Sequence, residues 1–193
     1  LFTGSNWKGL ELDTNGSIIR YAKISGVSND YAVSLKNGAT LQDSEVNCQR
    51  GIYASNGSVV RDCKINISGS TGVYASGSTI TGNEISGGNN YGANIEDHSI
   101  FRYNRVVSRY GIDLRKSTAE YNTIESTDAQ RSGVYIRHYR QSHDSPASTL
   151  FRFNNIGGFK ENITVTRDGE NNSTYPIIHY NTFTGSLSLA AAQ

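Results

Sequence analysis

No segment of this chain carries the sustained 3.6-residue apolar period of an amphipathic helix, and no apolar run approaches the ~20 residues that cross a membrane. A helical bundle is therefore excluded, and no membrane insertion is expected. Prolines number only two, and the net charge is +1. So even a balance lacks the basic excess that phosphate backbones demand, and no nucleic-acid partner is expected. The two cysteines, Cys48 and Cys63, fall at different places within the repeat described below; no disulfide follows, and both are expected to be free and buried. Zinc-ligand spacing is missing, because His98, His138, His143 and His179 are scattered. A phosphate-cradling glycine loop and a Gly-x-Ser-x-Gly nucleophile elbow are missing too. Neither an initial Met nor a signal-peptide pattern opens the chain, which reads as a processed or excised piece.

What the chain has in abundance is glycine, serine, asparagine, threonine and tyrosine, arranged in a repeat. The hexapeptide Phe101-Arg102-Tyr103-Asn104-Arg105-Val106 recurs in shape eight times, beginning at Ile19, Leu41, Val60, Ile80, Phe101, Ala119, Phe151 and Ile178. The interval is mostly 18 to 22 residues and lengthens in the last two copies. A second element precedes each hexapeptide, as in Gly51-Ile52-Tyr53-Ala54, Gly72-Val73-Tyr74-Ala75 and Gly111-Ile112-Asp113-Leu114. Its apolar residues alternate with period two, the mark of a strand with one buried face. Turn residues such as Asn37-Gly38 and Asn56-Gly57 sit between the two elements. Self-similarity at this period signals a solenoid, whose units bury their apolar faces only against their neighbours.

Stacked rungs turn equivalent positions into columns. The fourth hexapeptide position runs Ala22, Ser44, Cys63, Asn83, Asn104, Asn122, Asn154 and Asn181, which predicts amides hydrogen-bonded up the stack. The third position becomes aromatic in the later copies (Tyr103, Tyr121, Phe153, Tyr180), which predicts ring stacking. The fifth alternates in sign through Lys23, Glu45, Lys64, Glu84 and Arg105, which predicts ion pairs between neighbouring strands.

This arrangement resembles the right-handed parallel β-helix of the pectate-lyase-like superfamily, through the Asn-x-Ile type turns at Asn83-Glu84-Ile85, Asn104-Arg105-Val106, Asn122-Thr123-Ile124 and Asn154-Asn155-Ile156. The expectation is an all-β, single-domain parallel β-helix of about eight rungs, with rungs over about residues 7–185 of the chain. Each rung is expected to hold two or three short strands. Two longer insertions, residues 137–148 and 167–176, are expected to project as loops on one side. No capping helix is visible, and the tail from Ser186 to Gln193 is too short and bland to cap a solenoid. An oligomer or flanking domains would then cover the open strand edges.

On the Gly-initiated strand the outward residues form two columns. One holds Glu11, Ser34, Tyr53, Tyr74, Asn94, Asp113, Tyr135 and Thr164; the other holds Asp13, Lys36, Ser55, Ser76, Glu96, Arg115, Arg137 and Thr166. Tyrosines interleaved with amides and charges suit a saccharide, with rings against sugar faces and polar groups on hydroxyls or carboxylates. The superfamily resemblance implies a polysaccharide-acting domain outside the cell or at its surface. Within it, chondroitinase B-like and alginate lyases place a Lys on one rung and an Arg-His pair on the next, and Arg115-Lys116-Ser117 followed by Arg137-His138 looks similar. β-Elimination on a uronic acid needs a cation for the carboxylate, a base and an acid. Arg115 or Arg137 would neutralise; Lys116, Arg137 or His138 would act as base; Tyr135 would donate, beside Asp113. Tyr53, Tyr74, Asn94, Glu96, Lys116 and His143 would contact the substrate. Here the first residue after Leu114 is Arg115, where that family pattern has Lys, and no acidic calcium-ligand set or other cofactor can be mapped. The Asn-x-Asp, Asp-Asp and Gly-His signatures of polygalacturonase-like hydrolases do not occur. The other class of reading is a non-catalytic solenoid that binds glycans or spaces domains in a cell-surface or envelope protein or a phage tailspike.

Overall fold

The computed structural model describes the chain except at residues 5, 6, 29, 140–148, 169–175, 186–188 and 193. The described residues form three parallel sheets, of nine, eight and eight strands, and no helix. Consecutive strands never pair. Each strand bonds to the one three places on, so the chain winds through all three sheets before returning one level along. The expected parallel β-solenoid is what forms. Its eight-stranded sheets hold one strand per coil, and about six turns of the stack have a neighbour on both sides.

The two recurring sequence elements have distinct places. The Gly-initiated element supplies the first sheet, for example Tyr91–Glu96, Tyr110–Leu114 and Ser132–Tyr139. The hexapeptide is a corner: its first residues end a strand of the second sheet (Ile100–Arg102), and its last begin a strand of the third (Arg105–Ser108). The third hexapeptide residue takes a positive φ in all eight copies, from Tyr21 (54°) to Tyr180 (56°), with Gly82 at 70°. That conformation costs a non-glycine residue about 1–2 kcal/mol, and the stack offsets it. Tyr103, Tyr121, Phe153 and Tyr180 pile up with centroids 5.0–5.2 Å apart and planes within 12°.

The fourth residue turns inward and does what its column implies. The backbone N–H of Asn104 donates to Asn122 Oδ1 (2.9 Å), and that of Asn122 donates to Asn154 Oδ1 (3.0 Å). The amides of Asn83, Asn122, Asn154 and Asn181 also donate to backbone carbonyls of their own corner and of the preceding coil, as Asn122 does to Glu120 and Phe101. Towards the N-terminus the same place is filled by Cys63, whose N–H donates to Asn83 Oδ1 (2.9 Å), and by Ser44, which accepts from the Ala22 N–H (3.1 Å). Both cysteines are free and buried; burial pushes the Cys63 thiol up to about 11. A second ladder, which the sequence reading missed, runs along the corner between the first and second sheets. There Ser78 N–H donates to Ser99 Oγ, Ser99 N–H to Ser117 Oγ and Lys116 N–H to Thr149 Oγ1.

Inside, columns of Ile, Val and Leu close the core, with size compensated between coils: Ala119 lies between the fully buried Phe101 and Phe151. The stacked glycines that open the first-sheet strands have no room for a side chain. A Cβ on Gly111 would meet the Gly133 carbonyl oxygen at 2.1 Å. Charges alternate as the fifth column implies, Lys23 reaching Glu45 (3.5 Å) and Arg105 reaching Glu84 (3.7 Å). Each full coil has three strands, within the expected two or three. One expectation changes: part of the tail, Leu189–Ala192, adds a ninth strand to the first sheet beside residues 163–166. Of the two insertions, residues 140–148 and 169–175 lie outside the described residues.

Replacing one rung of the amide ladder tests its weight. Asn122→Ala strands the buried Asn104 N–H, takes one of the two acceptors of the Asn104 amide and removes the donor from two carbonyls, and is expected to lower unfolding free energy by about 2–4 kcal/mol. Asn181→Ala, half-exposed on the last coil, is expected to cost less than half as much. Urea unfolding of the two variants beside the parent checks the order.

Candidate functional site

Both outward columns expected on the first sheet are present in register. Tyr53 pairs with Tyr74, Tyr74 with Asn94, Asn94 with Asp113, and Asp113 with Tyr135. In the second column Ser76 pairs with Glu96, the Arg115 N–H donates to the Ile95 carbonyl just before Glu96, and Arg137 pairs with Thr166. The strip thus exists, but it divides into two halves of different character.

Towards the N-terminus it is aromatic and closed on itself. Tyr53 and Tyr74 stack with centroids 5.3 Å apart at 12°, and Tyr31 tilts against Tyr53 at 5.6 Å. Each of these rings therefore covers part of its neighbour's face, the surface a sugar would use. Past Asn94 the strip becomes charged. Arg137 donates to Asp113 Oδ2 at 2.7 Å, and Arg115 is bound to Glu96. Both carboxylates are sunk into the sheet, Asp113 at 4 % and Glu96 at 3 % exposure, while both arginines keep about a third of their side-chain surface. Burial pushes the Asp113 carboxyl above its usual 3.8, and the Arg137 guanidinium opposes that rise. The Tyr91 phenol is also raised, first by burial and then by the Asp113 charge, against a hydrogen bond from Arg137.

Three of the five residues assigned to catalysis (Asp113, Arg137 and Tyr135) therefore lie on neighbouring strands of one sheet face, and a fourth, Arg115, stands just past the end of its strand, its N–H still donating to the Ile95 carbonyl. The fifth, His138, belongs to the same strand as Arg137 and pairs in register with Arg167. Among the substrate-contact residues, Asn94 and Glu96 adjoin the charged half. Lys116 does not lie on the strand, which ends at Leu114; it occupies a turn with φ 46° and its N–H is held by Thr149. His143 lies outside the described residues.

The sequence reading missed a third outward column, which contains Tyr31, Arg50, Tyr91 and Tyr110. Tyr91 tilts against Tyr110 at 5.6 Å and meets Tyr135 edge-on at 5.7 Å, closing the charged half on one side. Arg131 lies over the Tyr110 ring. Strict alternation from Asn94 would turn Tyr91 inward. Gly92 and Ala93 are instead buried in succession, which shifts the phase by one. The available signal was the recurring Tyr-Gly step at Tyr91-Gly92 and Tyr110-Gly111.

Grooves form away from the strip, among them one of about 540 Å³ beside Asn47, Cys48, Asn66 and Ile67, one of about 460 Å³ beside Lys23, Glu45 and Lys64, and one of about 320 Å³ beside Thr123, Glu125 and Thr184. Among the described residues no cluster of three or more His, Cys, Asp and Glu side chains is placed to hold a metal ion, and no helix is long and apolar enough to cross a membrane. Comparison of the chain with family models, curated proteins and solved structures gave no match.

The raised Asp113 carboxyl has a pH signature. A folded-state pKa above the unfolded one means that the protonated form adds stability, fully present below about 3.8 and lost as pH rises through the raised value. The parent is therefore expected to lose stability relative to Asp113→Asn as pH climbs from 3.5 towards 7. Paired urea midpoints across that range give the sign.

Proposed function

We propose that the chain is a glycan-binding β-solenoid of the pectate-lyase-like kind, acting outside the cell or at its surface, and that it holds its ligand without cleaving it. One observation carries this reading: the cations of the charged half are already matched. Arg115 and Arg137 each face a buried carboxylate on the preceding coil, so the face is polar and nearly neutral. A lyase needs that positive charge free for the uronate. Here a uronate would have to compete with Asp113 for Arg137, and the displaced carboxylate would stay buried without a partner at a cost of several kcal/mol. A polar face edged by Tyr91, Tyr110 and Tyr135 instead suits hydroxyl recognition with ring contacts at its border.

A specific observation also favours the lyase reading. Asp113 is a buried carboxyl with a raised pKa, next to an arginine and within one coil of Tyr135, and such perturbed groups gather at catalytic sites.

Calorimetric titration with neutral and uronate-containing oligosaccharides tests the binding reading. Tyr135→Ala and Tyr91→Ala are each expected to weaken binding about tenfold, the worth of one aromatic contact. Affinity unchanged in both variants overturns it. Absorbance of unsaturated uronates, followed with the same ligands, is expected to stay flat; a rise abolished by Arg137→Ala would establish a lyase.

A further inference from the structure

The outer face of the second sheet lies apart from the strip and carries a different charge pattern. One of its columns runs Arg20, Gln42, Arg61, Thr81, Arg102, Glu120 and Arg152, each residue paired in register with the next. An arginine therefore stands on every second coil. Between them the intervening residues are recessed: Gln42 is buried, and Thr81 and Glu120 are half-buried. With about 4.8 Å between strands, the guanidinium repeat is roughly 10 Å.

These arginines are not matched as those of the first sheet are. Arg61 donates to the neutral Gln42 Oε1 at 2.6 Å, and Arg102 sits 6.0 Å from the centre of the Tyr103 ring. Only Arg152 has a carboxylate, Glu120, at 2.9 Å. Among the described residues, no ion-pair partner lies within 4.0 Å of Arg20, Arg61 or Arg102. Asp43 and Asp62 stand one residue further on, at the corner, beside the N-terminal half of the column. Next to Arg102 and Arg152 that corner holds Tyr103 and Phe153 in their place. Along the other side runs a smooth column of β-branched and aliphatic residues, with Ile18, Ile100 and Ile177 its most exposed members.

We propose that this face binds a linear acidic polysaccharide in which an anionic sugar alternates with an uncharged one, laid along the solenoid axis. In an extended chain one pyranose advances by close to one strand spacing, about 4.8 Å, so coils and sugars keep step. Anions on alternate sugars then meet an arginine each, in charge-assisted hydrogen bonds for which the guanidinium fork is suited. The uncharged sugars pass over Gln42, Thr81 and Glu120, and the aliphatic column supports the apolar side of the chain. A nucleic acid fits poorly, since phosphates recur every 3.4 Å along a duplex strand, about three to each arginine.

Hyaluronan decasaccharide, which carries only carboxylates, and a keratan sulfate fraction, which carries only sulfates, are the probes. They are titrated at low salt into the intact chain and into an Arg61→Gln/Arg102→Gln double variant. At least one probe is expected to bind the parent and to bind the double variant about tenfold more weakly, two exposed charge pairs lost. Which probe binds identifies the anion. Binding of a neutral oligosaccharide, the ligand of the first sheet, is expected to stay within twofold in the double variant, which separates the two faces. The exposed arginines leave the core untouched, and urea unfolding of the double variant is expected to match the parent. Failure of both probes overturns the proposal. So does an equal loss in Arg105→Gln, which sits on the third sheet, or tighter binding of a single-stranded oligonucleotide of equal charge.

Discussion

In a parallel solenoid every coil must offer the next one the same row of backbone groups at the same height. Strands satisfy this by themselves, because in-register pairing leaves few donors over. Corners do not, since the chain there turns away from the sheet. The Asn83–Asn181 ladder meets this need: each side-chain oxygen takes the corner N–H of the coil before it, and side-chain amides such as that of Asn122 close carbonyls on both levels. A corner without such a residue would bury an unpaired donor at about 1–3 kcal/mol per coil. The serine ladder performs the same task where the first sheet hands over to the second.

Turning the fourth residue of the corner inward goes with a left-handed conformation of the residue before it in every coil, whether that fourth residue is asparagine or, in the first three coils, Ala22, Ser44 or Cys63. Glycine would be the easy choice and appears once, as Gly82. Elsewhere the position carries aspartate or an aromatic ring, and four of the five aromatic copies (Tyr103, Tyr121, Phe153 and Tyr180) fall on successive coils, where they stack. Backbone strain and ring stacking are thus two consequences of one geometric demand.

The same in-register stacking governs the surface charge. Residues facing solvent at one level lie directly beside their equivalents at the next, so the order of charges along a column decides whether they cancel. On the first sheet Arg115 follows Glu96 along one column, Asp113 takes Arg137 from the adjoining column one coil on, and the face is compensated. On the second sheet arginines alternate with neutral residues through Arg102, and positive charge recurs at a fixed step. Two faces of one repeat thereby acquire different binding chemistry with no change of backbone.

The sequence by itself determined the solenoid, the place of each coil and the column to which most residues belong. A repeat of nearly constant period, with period-two alternation inside it, admits hardly any other way to bury Ile and Val. The stacked asparagines, the later aromatic stack and the alternating Lys and Glu column were all legible for that reason. Only the tertiary structure decided what the columns do. Tyr91 faces out because Gly92 and Ala93 are buried in succession, a phase shift that alternation cannot express. Lys116 leaves the strip because its strand stops at Leu114. The arginines expected to receive a substrate carboxylate already hold Glu96 and Asp113, because ion pairing depends on distances between coils that residue order does not record. Sequence periodicity fixes which residues are neighbours; which neighbours satisfy one another is set by side-chain geometry and burial.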